Sequence, residues 1–343
     1  MAGEKSAIVT RKDEHLDLAL AQQAPLRPNA FDAVRLPHCA LPELDLEAID
    51  LSTRFLGRAL ALPFMISAMT GGPARGAAIN AHLAAAAEAL KIPFAVGSQR
   101  VALEGSQAAG LGPELRRLAP SIPLWGNFGA AQLLQGYGPD EARRAMEMIG
   151  ADAMIIHLNP LQEAVQAGGD TAWRGVTTAL EALARDLEAP IIVKEVGYGV
   201  SPAVARRLRD AGVAAVDVAG SGGTAWAAIE GERATSDAAA ETARAFDGWG
   251  IPTPQAIASV RAACPDLPLI GSGGVRHGVD AAKAIALGAD LVGQAGGLLA
   301  AAMVSAEAVI GHIAVMARQL RIACFATGCA DLAALRRLGA GPA

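Results

Sequence analysis

Charged residues are scarce in this chain of 343 residues: Asp, Glu, Lys and Arg together make up 18% of it, whereas hydrophobic residues make up 52%. This composition excludes a disordered chain, because disorder requires few apolar residues and a high net charge. Positive charge is not in excess either, since 29 Lys and Arg stand against 34 Asp and Glu and leave a net charge of −5. We therefore expect no nucleic-acid partner, although a local basic site for a small anion stays open.

Long uncharged runs are also missing, although the mean hydropathy is +0.31. The most apolar stretch without a charge extends from Leu291 to Ala306, and it is shorter than the roughly 20 residues that span a bilayer. The start of the chain carries charged residues between Glu4 and Glu14, which is unlike a signal peptide. These absences predict a cytoplasmic protein without a membrane partner.

Cysteine and aromatic residues are few. The four cysteines form no Cys-x-x-Cys pair and are too sparse for a disulfide scaffold, so we expect reduced thiols and no cysteine-based metal cluster. Aromatic residues make up only 4% of the chain. Because no basic residues are interleaved with them, Trp125, Trp226 and Trp249 are better explained as packing or lid residues than as platforms for nucleobases.

What the chain does contain, from Leu62 onward, is a regular alternation of short Val-, Ile- and Leu-rich runs with longer Ala-rich stretches of helical character. The pattern predicts eight strands, at 62–68, 92–96, 122–126, 152–157, 190–194, 214–218, 267–271 and 289–293. It predicts helices at 74–90, 113–119, 139–149, 172–187, 201–211, 254–263, 277–287 and 298–318. Eight βα units in series favour an α/β fold of the TIM (β/α)8 barrel type. An open doubly wound sheet is the alternative, but no Gly-x-Gly-x-x-Gly turn of a dinucleotide fold opens this chain.

Residues 1–60 lack this alternation and are punctuated by Pro25, Pro28, Pro37 and Pro42. They predict an N-terminal extension that wraps the barrel and contributes to the substrate site, and not an independent domain. Residues 61–320 are expected to form the barrel itself, and residues 321–343 a C-terminal tail.

The ends of the strands carry the candidate chemistry, because barrel enzymes build their active sites there. The segments after strands six, seven and eight, at 220–224, 272–276 and 294–297, together predict a cup for a phosphate group. Their glycines let backbone N–H groups approach an anion, while Thr224 adds a hydroxyl and Arg276 a charge. Any one of these runs alone would more often be a tight turn, so the prediction depends on their combination.

Further candidate side chains lie near the start of the chain and after strands two, four and five. A doubly ionised diphosphate needs a high density of donors, which the cationic and amide residues provide: Arg11, Lys12, His15, Gln99 and Arg100. For the charged residues near the start, composition alone favours a solvated, mobile terminus instead.

Three more candidates are titratable. Glu163 could hold a hard cation such as Mg²⁺ by one carboxylate while substrate oxygens and waters fill the other positions, or it could simply be solvated. His157 could be a satisfied residue at the end of a strand, and Lys194 could be ion-paired with Glu195 or Glu163. Their position at the ends of barrel strands makes a functional role at least equally plausible.

Taken together, these motifs resemble the type 2 isopentenyl-diphosphate isomerases, a family of FMN-dependent barrels, over nearly the whole chain from Arg11 to Gly297. The matching motifs are Arg11-Lys12-x-Glu14-His15, Met69-Thr70-Gly71-Gly72, Gly97-Ser98-Gln99-Arg100, His157-Leu158-Asn159-x-x-Gln162-Glu163, Lys194-Glu195-Val196-Gly197 and Ser272-Gly273-Gly274-Val275-Arg276. The resemblance implies the interconversion of isopentenyl and dimethylallyl diphosphate, with reduced FMN and Mg²⁺ required but no net redox change. It also implies NADPH as the reductant of the flavin and a homo-oligomer, either a tetramer or an octamer.

Carried over residue by residue, the resemblance assigns the FMN contacts to Ala68, Met69, Thr70, Ser98, Asn127, Lys194, Thr224, Gly273, Gly274, Arg276, Ala295 and Gly296. It assigns the substrate contacts to Arg11, Lys12, His15, Ser98, Gln99, Arg100, His157, Asn159 and Gln162. It implies that Lys194, His157 and Gln162 support the reduced flavin in catalysis and that Glu163 holds Mg²⁺. The chain departs from the family at Ala225, where many relatives are expected to carry a small hydroxyl residue, so a hydroxyl contact from that position is in doubt.

The expected reaction moves a double bond by one carbon, so one proton must reach the terminal alkene carbon and another must leave the allylic carbon. The motifs contain no obvious pair of a strong side-chain acid and base. We therefore hypothesise that the reduced flavin itself gives and takes the proton near N5, while Lys194 and the polar edge tune its charge.

Three alternatives stay open. The first is an FMN-dependent oxidoreductase of a small phosphorylated or acidic substrate on the same barrel. Against it, residues 220–231 contain no cysteine that could act as a nucleophile. In addition, Arg276-His277 matches only in part the His and Arg pair of hydroxy-acid oxidases. The second is a phosphate-sugar lyase with Lys194 as a Schiff-base lysine. The third is a phosphate-ligand binder without activity, against which the complete set of polar strand ends argues.

Overall fold

The structure is a computed structural model, and it describes residues 14–22, 29–69, 74–105 and 109–342. Eight parallel strands close into one barrel: β1 Phe64–Ile66, β2 Phe94–Ala95, β3 Leu124–Gly129, β4 Ala153–Leu158, β5 Ile191–Glu195, β6 Ala215–Asp217, β7 Leu269–Ser272 and β8 Leu291–Gln294. Each strand pairs with the next along the chain, and β8 returns to pair with β1 with Val292 opposite Phe64. Every strand overlaps a predicted one, so the prediction of a TIM barrel is confirmed.

The strands are connected by helices, and further helices precede and follow the barrel. The α-helices are Ala74–Leu90, Arg100–Leu103, Glu114–Leu118, Ala130–Leu133, Pro139–Ile149, Pro160–Val165, Val176–Asp186, Pro202–Asp210, Trp226–Glu232, Asp237–Arg244, Thr253–Ala263, Gly278–Ala286, Gly296–Val304, Ala306–Ala326 and Leu332–Leu338. Residues 14–22 are also helical. Two 3-10 helices are Ala30–Ala33 and Leu46–Ala48.

Helix Pro139–Ile149 illustrates why the local sequence predicts these elements well. Pro139 occupies the first turn, where its missing N–H costs nothing, and the Glu141 carboxylate accepts a hydrogen bond from Gly138 N at 2.9 Å. Gly150 ends the helix with a positive φ of 68°, a conformation that glycine adopts without strain. The predicted range of 139–149 is therefore confirmed.

The single helix predicted over 298–318 is wrong. Two helices, Gly296–Val304 and Ala306–Ala326, meet at Ser305, whose backbone is extended. The Ser305 hydroxyl accepts a hydrogen bond from Ala308 N at 3.2 Å and so caps the second helix. One serine inside a long Ala-rich run is a weak break in the apolar pattern, which explains why the periodicity did not predict it.

The interior of the barrel consists of an apolar layer and, above it, a polar layer. The apolar layer includes Met65, Ala95, Trp125, Ile155, Ile192, Ala215, Ile270 and Leu291. Since side chains alternate along a strand, the residues two positions further on face the same interior at the carboxyl end. We call these residues the inner polar layer: Ser67, Gly97, Asn127, His157, Lys194, Asp217, Ser272 and Gly293.

The two ends of the barrel are covered differently by the N-terminal segment. An antiparallel hairpin of Thr53–Phe55 and Arg58–Leu60 inserts Phe55 and Leu60 into the apolar layer, where the Phe55 and Trp125 ring centroids lie 6.0 Å apart. This hairpin closes the amino end of the barrel. Helix 14–22 lies at the opposite, carboxyl end, beside the inner polar layer.

The C-terminal part of the chain packs on the outside of the barrel. Helix Ala306–Ala326 is long and apolar enough to cross a membrane by length and composition alone, but it buries Val309, Ile313 and Leu320 in the main core. Strand Gly341–Pro342 pairs antiparallel with Val34–Arg35 from the N-terminal segment. The predicted boundary at residues 320 and 321 thus falls within a helix.

Candidate active site

One cavity of about 990 Å³ opens at the carboxyl end of the barrel. Seven of the eight residues of the inner polar layer line it; Asp217 does not. Helix 14–22 contributes Leu16, Ala19 and Leu20 to its wall. The cavity therefore combines a polar floor with an apolar wall, as small-molecule sites commonly do.

The glycine-rich loops after β6, β7 and β8 meet on one side of this cavity, as the sequence predicts. A Cβ on Gly273 would lie 2.2 Å from the carbonyl oxygen of Gly220, and one on Gly274 would lie 2.5 Å from that of Gly222. Both glycines also have positive φ values. No side chain fits at either position, so the backbones of two loops approach each other and leave their N–H groups beside the cavity.

Helix Gly296–Val304 begins at the same side of the cavity, directly after β8. Ala295, Gly296 and Gly297 line the cavity, so the first N–H groups of the helix, which have no partner within the helix, lie next to it. Together with Thr224, also on the wall, these residues form a cradle of the kind that binds phosphate.

Arg276 lines this cradle, but carboxylates already bind most of its guanidinium. Its Nε and Nη2 donate to Asp280 at 2.8 and 3.1 Å, and its Nη1 and Nη2 donate to Asp32 at 3.1 and 2.5 Å. The hydrogen bonds from Arg276 lower the pKa of Asp32 to about 2. Its charge is therefore largely balanced, and an anion in the cradle would depend mainly on backbone N–H groups.

His157 and Asn127 form a pair within the inner polar layer. The imidazole Nδ1 lies 2.9 Å from the Asn127 Oδ1. Since an amide oxygen only accepts, Nδ1 carries the hydrogen and the other ring nitrogen, Nε2, is the acceptor of the neutral ring. Both residues line the cavity, so the pair presents an oriented imidazole to it.

Gln99 and Arg100 are not brought to the cavity, although both were predicted to contact the substrate. Gln99 is fully buried; its Nε2 donates to Ala145 O at 2.7 Å and its Oε1 accepts from Asn127 N at 2.9 Å. The guanidinium of Arg100 donates to Glu104 at 2.8 Å and to Asp170 at 3.1 Å. Gln99 therefore supports the backbone of β3 behind the His157–Asn127 pair.

Asn159 and Glu163 also lie beside the cavity and not on its wall. Asn159 Nδ2 donates to Glu163 Oε1 at 2.7 Å, and Asp170 N donates to Glu163 Oε2 at 2.8 Å. Among the residues that the structure describes, no group of three or more His, Cys, Asp and Glu side chains could hold a metal ion. Glu163 is thus a single carboxylate whose two oxygens are already oriented by neutral donors.

Gln162, His15 and Glu230 form a cluster, of which Gln162 and His15 line the cavity. The buried Glu230 carboxylate lies 3.0 Å from His15 Nε2, and it accepts from Gln162 at 3.2 Å and from Arg233 at 2.7 Å. Burial raises the pKa of Glu230, but the neighbouring His15, the hydrogen bond from Gln162 and the charge of Arg233 outweigh it and lower the pKa below its usual value. Sequence analysis missed Glu230, which lies seven residues after Gly223 in a short helix without a recognised motif.

Lys194 is buried at the end of β5 and lines the cavity floor. Its ammonium donates to the carbonyl oxygen of Glu195 at 2.6 Å. The Glu195 side chain points elsewhere and accepts from the N–H groups of Val196 and Gly197, both at 2.7 Å, and of Tyr198. The alternative in which Lys194 pairs with the carboxylate of Glu195 at hydrogen-bond distance is therefore wrong.

The remaining predicted residues divide into two groups. Ala68, Met69 and Ser98 line the cavity. Arg11, Lys12 and Thr70 lie outside the described residues. One cavity residue that sequence analysis missed is His312, whose Nε2 donates to Gln294 Oε1 at 2.8 Å. It comes from the middle of helix Ala306–Ala326, where no local signal marks it, and burial lowers its pKa.

Comparison with known families and proteins agrees with this geometry. The model of the FMN-dependent dehydrogenase family matches residues 15–114 and 128–339. An isopentenyl-diphosphate delta-isomerase of Xanthobacter autotrophicus is 65% identical over 337 residues, which cover 98% of each chain. That of Stutzerimonas stutzeri is 62% identical over 335 residues, 97% of each chain.

Solved structures show the same fold at low identity. A mandelate oxidase variant with the C4a-OH-FMN adduct superposes with a TM-score of 0.67 at 19% identity, over 97% of this chain and 95% of that one. A mandelate oxidase with 3,3-difluoro-2-hydroxy-3-phenylpropionic acid gives 0.65 at 19% identity, over 99% and 97%. At this identity the likeness extends to the fold alone.

Proposed function

The chain belongs to the FMN-dependent isopentenyl-diphosphate delta-isomerases, and from this premise we propose how its cavity interconverts isopentenyl and dimethylallyl diphosphate. One observation carries the proposal. The ends of all eight strands lie around a single cavity, which is lined by the glycine cradle and also by His15 and Gln162, the two neighbours of Glu230. Such a cavity offers separate places for a phosphorylated cofactor and a diphosphate substrate.

FMN fits the cradle, because the close approach of the loops at Gly273 and Gly274 leaves room for phosphate oxygens and not for side chains. The residues proposed to hold the phosphate are Thr224, Gly273, Gly274, Arg276, Ala295 and Gly296. Those proposed along the isoalloxazine are Ala68, Met69, Thr70, Ser98, Asn127 and Lys194. When bound and reduced, FMN supplies a ring nitrogen able to give and take a proton beside the alkene.

The chain's own residues bind and orient the substrate. Asn127 holds the ring of His157 through Nδ1 at the wall of the cavity, where the imidazole is proposed to bond a diphosphate oxygen. Gln162 and His15 are held by the ionised Glu230. These contacts support a role in holding the allylic end of the substrate in one orientation, which proton transfer to a weakly basic alkene requires.

Helix 14–22 contributes the apolar side of the substrate site. Leu16, Ala19 and Leu20 suit a five-carbon isoprenoid tail, and the His15 ring meets Trp226 edge-on at a centroid distance of 5.2 Å. Closing the cavity with apolar groups excludes water, which would otherwise compete for a developing cation and screen the charges around it. The proposal also includes contacts from Arg11 and Lys12 to the diphosphate.

Mg²⁺ is proposed to bind the substrate diphosphate and the carboxylate of Glu163. A single carboxylate suits this ion, which keeps several waters and is commonly completed by phosphate oxygens. Asn159 and the N–H of Asp170 orient the carboxylate and leave further lone pairs on both oxygens. The metal would thus bind only when the substrate provides its other ligands.

Replacing Glu163 by Gln tests this metal site. We expect turnover at limiting Mg²⁺ to fall by about tenfold or more, because the amide has no charge with which to hold the ion, while bound FMN stays unchanged. The measurement is the isomerase rate against Mg²⁺ concentration, with the flavin content read from the visible spectrum. Glu181→Gln, an exposed residue of helix Val176–Asp186, is the matched control; equal Mg²⁺ dependence of both variants would refute the assignment.

The decisive experiment is an anaerobic isomerase assay on protein loaded with FMN, with NADPH as the proposed reductant. We expect a yellow protein whose absorbance bleaches on reduction and whose isomerase activity appears only then. The substrate should return isomerised without net oxidation. Stoichiometric oxidation of a substrate coupled to bleaching would support the oxidoreductase alternative instead.

We further propose that the protein is cytoplasmic and forms a homo-oligomer, a tetramer or an octamer. Support comes from exposed apolar residues on the C-terminal helices. Val304 is 71% exposed, and Val315 and Ile322, which lie seven residues apart on one face of helix Ala306–Ala326, are 59% and 46% exposed. Such a surface is typical of subunit contacts.

A further inference from the structure

Asp217 is the one member of the inner polar layer that does not line the cavity. It ends β6 and is fully buried beneath the cavity floor. Its Oδ1 accepts from the Ser272 hydroxyl at 2.6 Å and from Ala219 N at 3.2 Å. Its Oδ2 is buried and has no hydrogen-bond partner among the described residues. A buried carboxylate oxygen in this position requires an explanation, since leaving such a group unpaired is costly.

Lys194 is the cationic side chain that the strand register places beside Asp217. It is the register partner of Asp217 on the neighbouring strand β5, and both side chains face the barrel interior. Burial raises the pKa of Asp217 above its usual value, and the positive charge of Lys194 is the largest influence that opposes this rise without cancelling it. The only other carboxylate near Lys194 on its own strand, that of Glu195, faces the opposite side of β5 and is bound by backbone N–H groups.

We infer that Asp217 is a positioning residue, whose carboxylate is the counter-ion of Lys194 in the barrel interior and limits the positive charge that Lys194 presents to the cavity. The inference rests on the proposed function, in which Lys194 lies along the polar edge of the flavin. An ammonium without a counter-ion would strongly stabilise negative charge on the reduced ring and so favour loss of its proton. An enzyme that uses the reduced ring as an acid and base needs that proton retained.

The test is the reduction equilibrium of bound FMN, measured anaerobically against a reference dye, because a purely structural role of Asp217 would not move it. Asp217→Asn keeps the shape and removes the charge. We expect the equilibrium to shift toward the reduced flavin by about tenfold or more, which is about 30 mV upward in midpoint potential. Asp266→Asn, exposed on the loop before the amino end of β7, is the matched control and should shift it by less than about twofold.

A double-mutant cycle with Lys194→Gln separates the proposed position of Lys194 beside the flavin from the inference about Asp217. Lys194→Gln alone should shift the equilibrium away from the reduced flavin, and in that background the effect of Asp217→Asn should fall below about threefold. If Lys194→Gln changes nothing, the placement of Lys194 beside the flavin is wrong. If Lys194→Gln shifts the equilibrium and Asp217→Asn does not, only the inference about Asp217 fails.

A second variant covers the case in which Asp217→Asn does not fold. Asp217→Ser also removes the charge, and its smaller side chain fits the space of the original. Thermal unfolding of each variant shows which of them is folded before the potential is measured. A folded Asp217→Ser protein with an unchanged potential would overturn the inference.

Discussion

At the scale of single residues, the site depends on side chains that orient other side chains. Asn127 fixes the ring of His157, and Gln99 in turn binds the backbone N–H of Asn127. Glu230 contacts both His15 and Gln162 in a similar way. Side chains that are proposed to contact the substrate are therefore held by neighbouring side chains, which reduces the conformational freedom that binding must remove.

Replacing Asn127 by Ala tests this arrangement at His157. Without its acceptor, Nδ1 no longer fixes the orientation of the ring, and we expect kcat/KM to fall by about 10- to 100-fold at saturating FMN. The nitrogen chemical shifts of His157 should show a mixture of tautomers. Asn80→Ala is the control, because its amide donates to Gly110 O at 2.9 Å away from the cavity; it should lower stability and leave the His157 signals unchanged.

The pair of Asp32 and Arg276 predicts a dependence of stability on pH. Hydrogen bonding to Arg276 lowers the pKa of Asp32 from 3.8 to about 2. A depressed pKa in the folded state means that the contribution of Asp32 to stability is present above pH 3.8 and is lost as the pH falls through about 2. The Asp32→Asn protein should therefore unfold at a lower temperature than the unmodified protein at pH 6. This difference in unfolding temperature should become smaller below pH 4.

The measurement is thermal unfolding of both proteins between about pH 6 and pH 3. This range includes the pKa of an unperturbed carboxyl group. Asp266→Asn serves as the reference for an exposed carboxylate without such a partner among the described contacts. A constant difference in unfolding temperature between Asp32→Asn and the unmodified protein over this pH range would contradict the prediction.

At the scale of elements, helix 14–22 is attached to the cofactor cradle at a defined point. Gln22 Oε1 accepts from Ala225 N at 2.9 Å, and Gln22 Nε2 donates to Ala225 O at 3.3 Å. Further along, Asn29 Nδ2 donates to Gly274 O at 2.6 Å. The backbone of Ala225 is thus held by the side chain of Gln22.

Removing this attachment with Gln22→Ala should loosen helix 14–22 from the cavity. Because each hydrogen bond contributes about 1 kcal/mol, we expect the KM for the diphosphate substrate to rise by about 3- to 10-fold, with kcat less affected. Hydrogen exchange of residues 14–22 should become faster. Gln255→Ala, on the exposed side of helix Thr253–Ala263, is the matched substitution that should change neither quantity.

At the scale of the whole molecule, the barrel leaves an apolar surface on helix Ala306–Ala326. Val315 and Ile322 lie on one exposed face of this helix, while Val309, Ile313 and Leu320 are buried against the barrel. Exposing both apolar residues in water is unfavourable, and covering them with a second subunit would remove that cost.

The double variant Val315→Glu with Ile322→Glu tests the proposed homo-oligomer. Two charges in the contact should break it, since buried unpaired carboxylates are costly, and the mass measured by light scattering should fall toward the 34.8 kDa of one chain. Circular dichroism should be unchanged, because both positions are exposed in the single chain. Leu41→Glu, which alters an isolated exposed leucine of 76% exposure, should leave the mass unchanged.

The sequence by itself determined the barrel and the cavity's general chemistry. Strand positions, strand order and the glycine-rich loops follow from local periodicity and composition, which act within a few residues along the chain. The same locality explains the confirmed helix 139–149 and the missed break at Ser305, where one hydroxyl inside an Ala-rich run decides between one helix and two.

Only the tertiary structure decided which polar residues meet. Glu230 reaches His15 across more than two hundred positions, and Gln99 turns away from the cavity toward helix Pro139–Ile149. Asp217 lies opposite Lys194 on the neighbouring strand only because β5 and β6 pair in one register. Such contacts depend on strand register and on the direction of each side chain, and these are fixed by packing across the closed barrel rather than by neighbours in the chain.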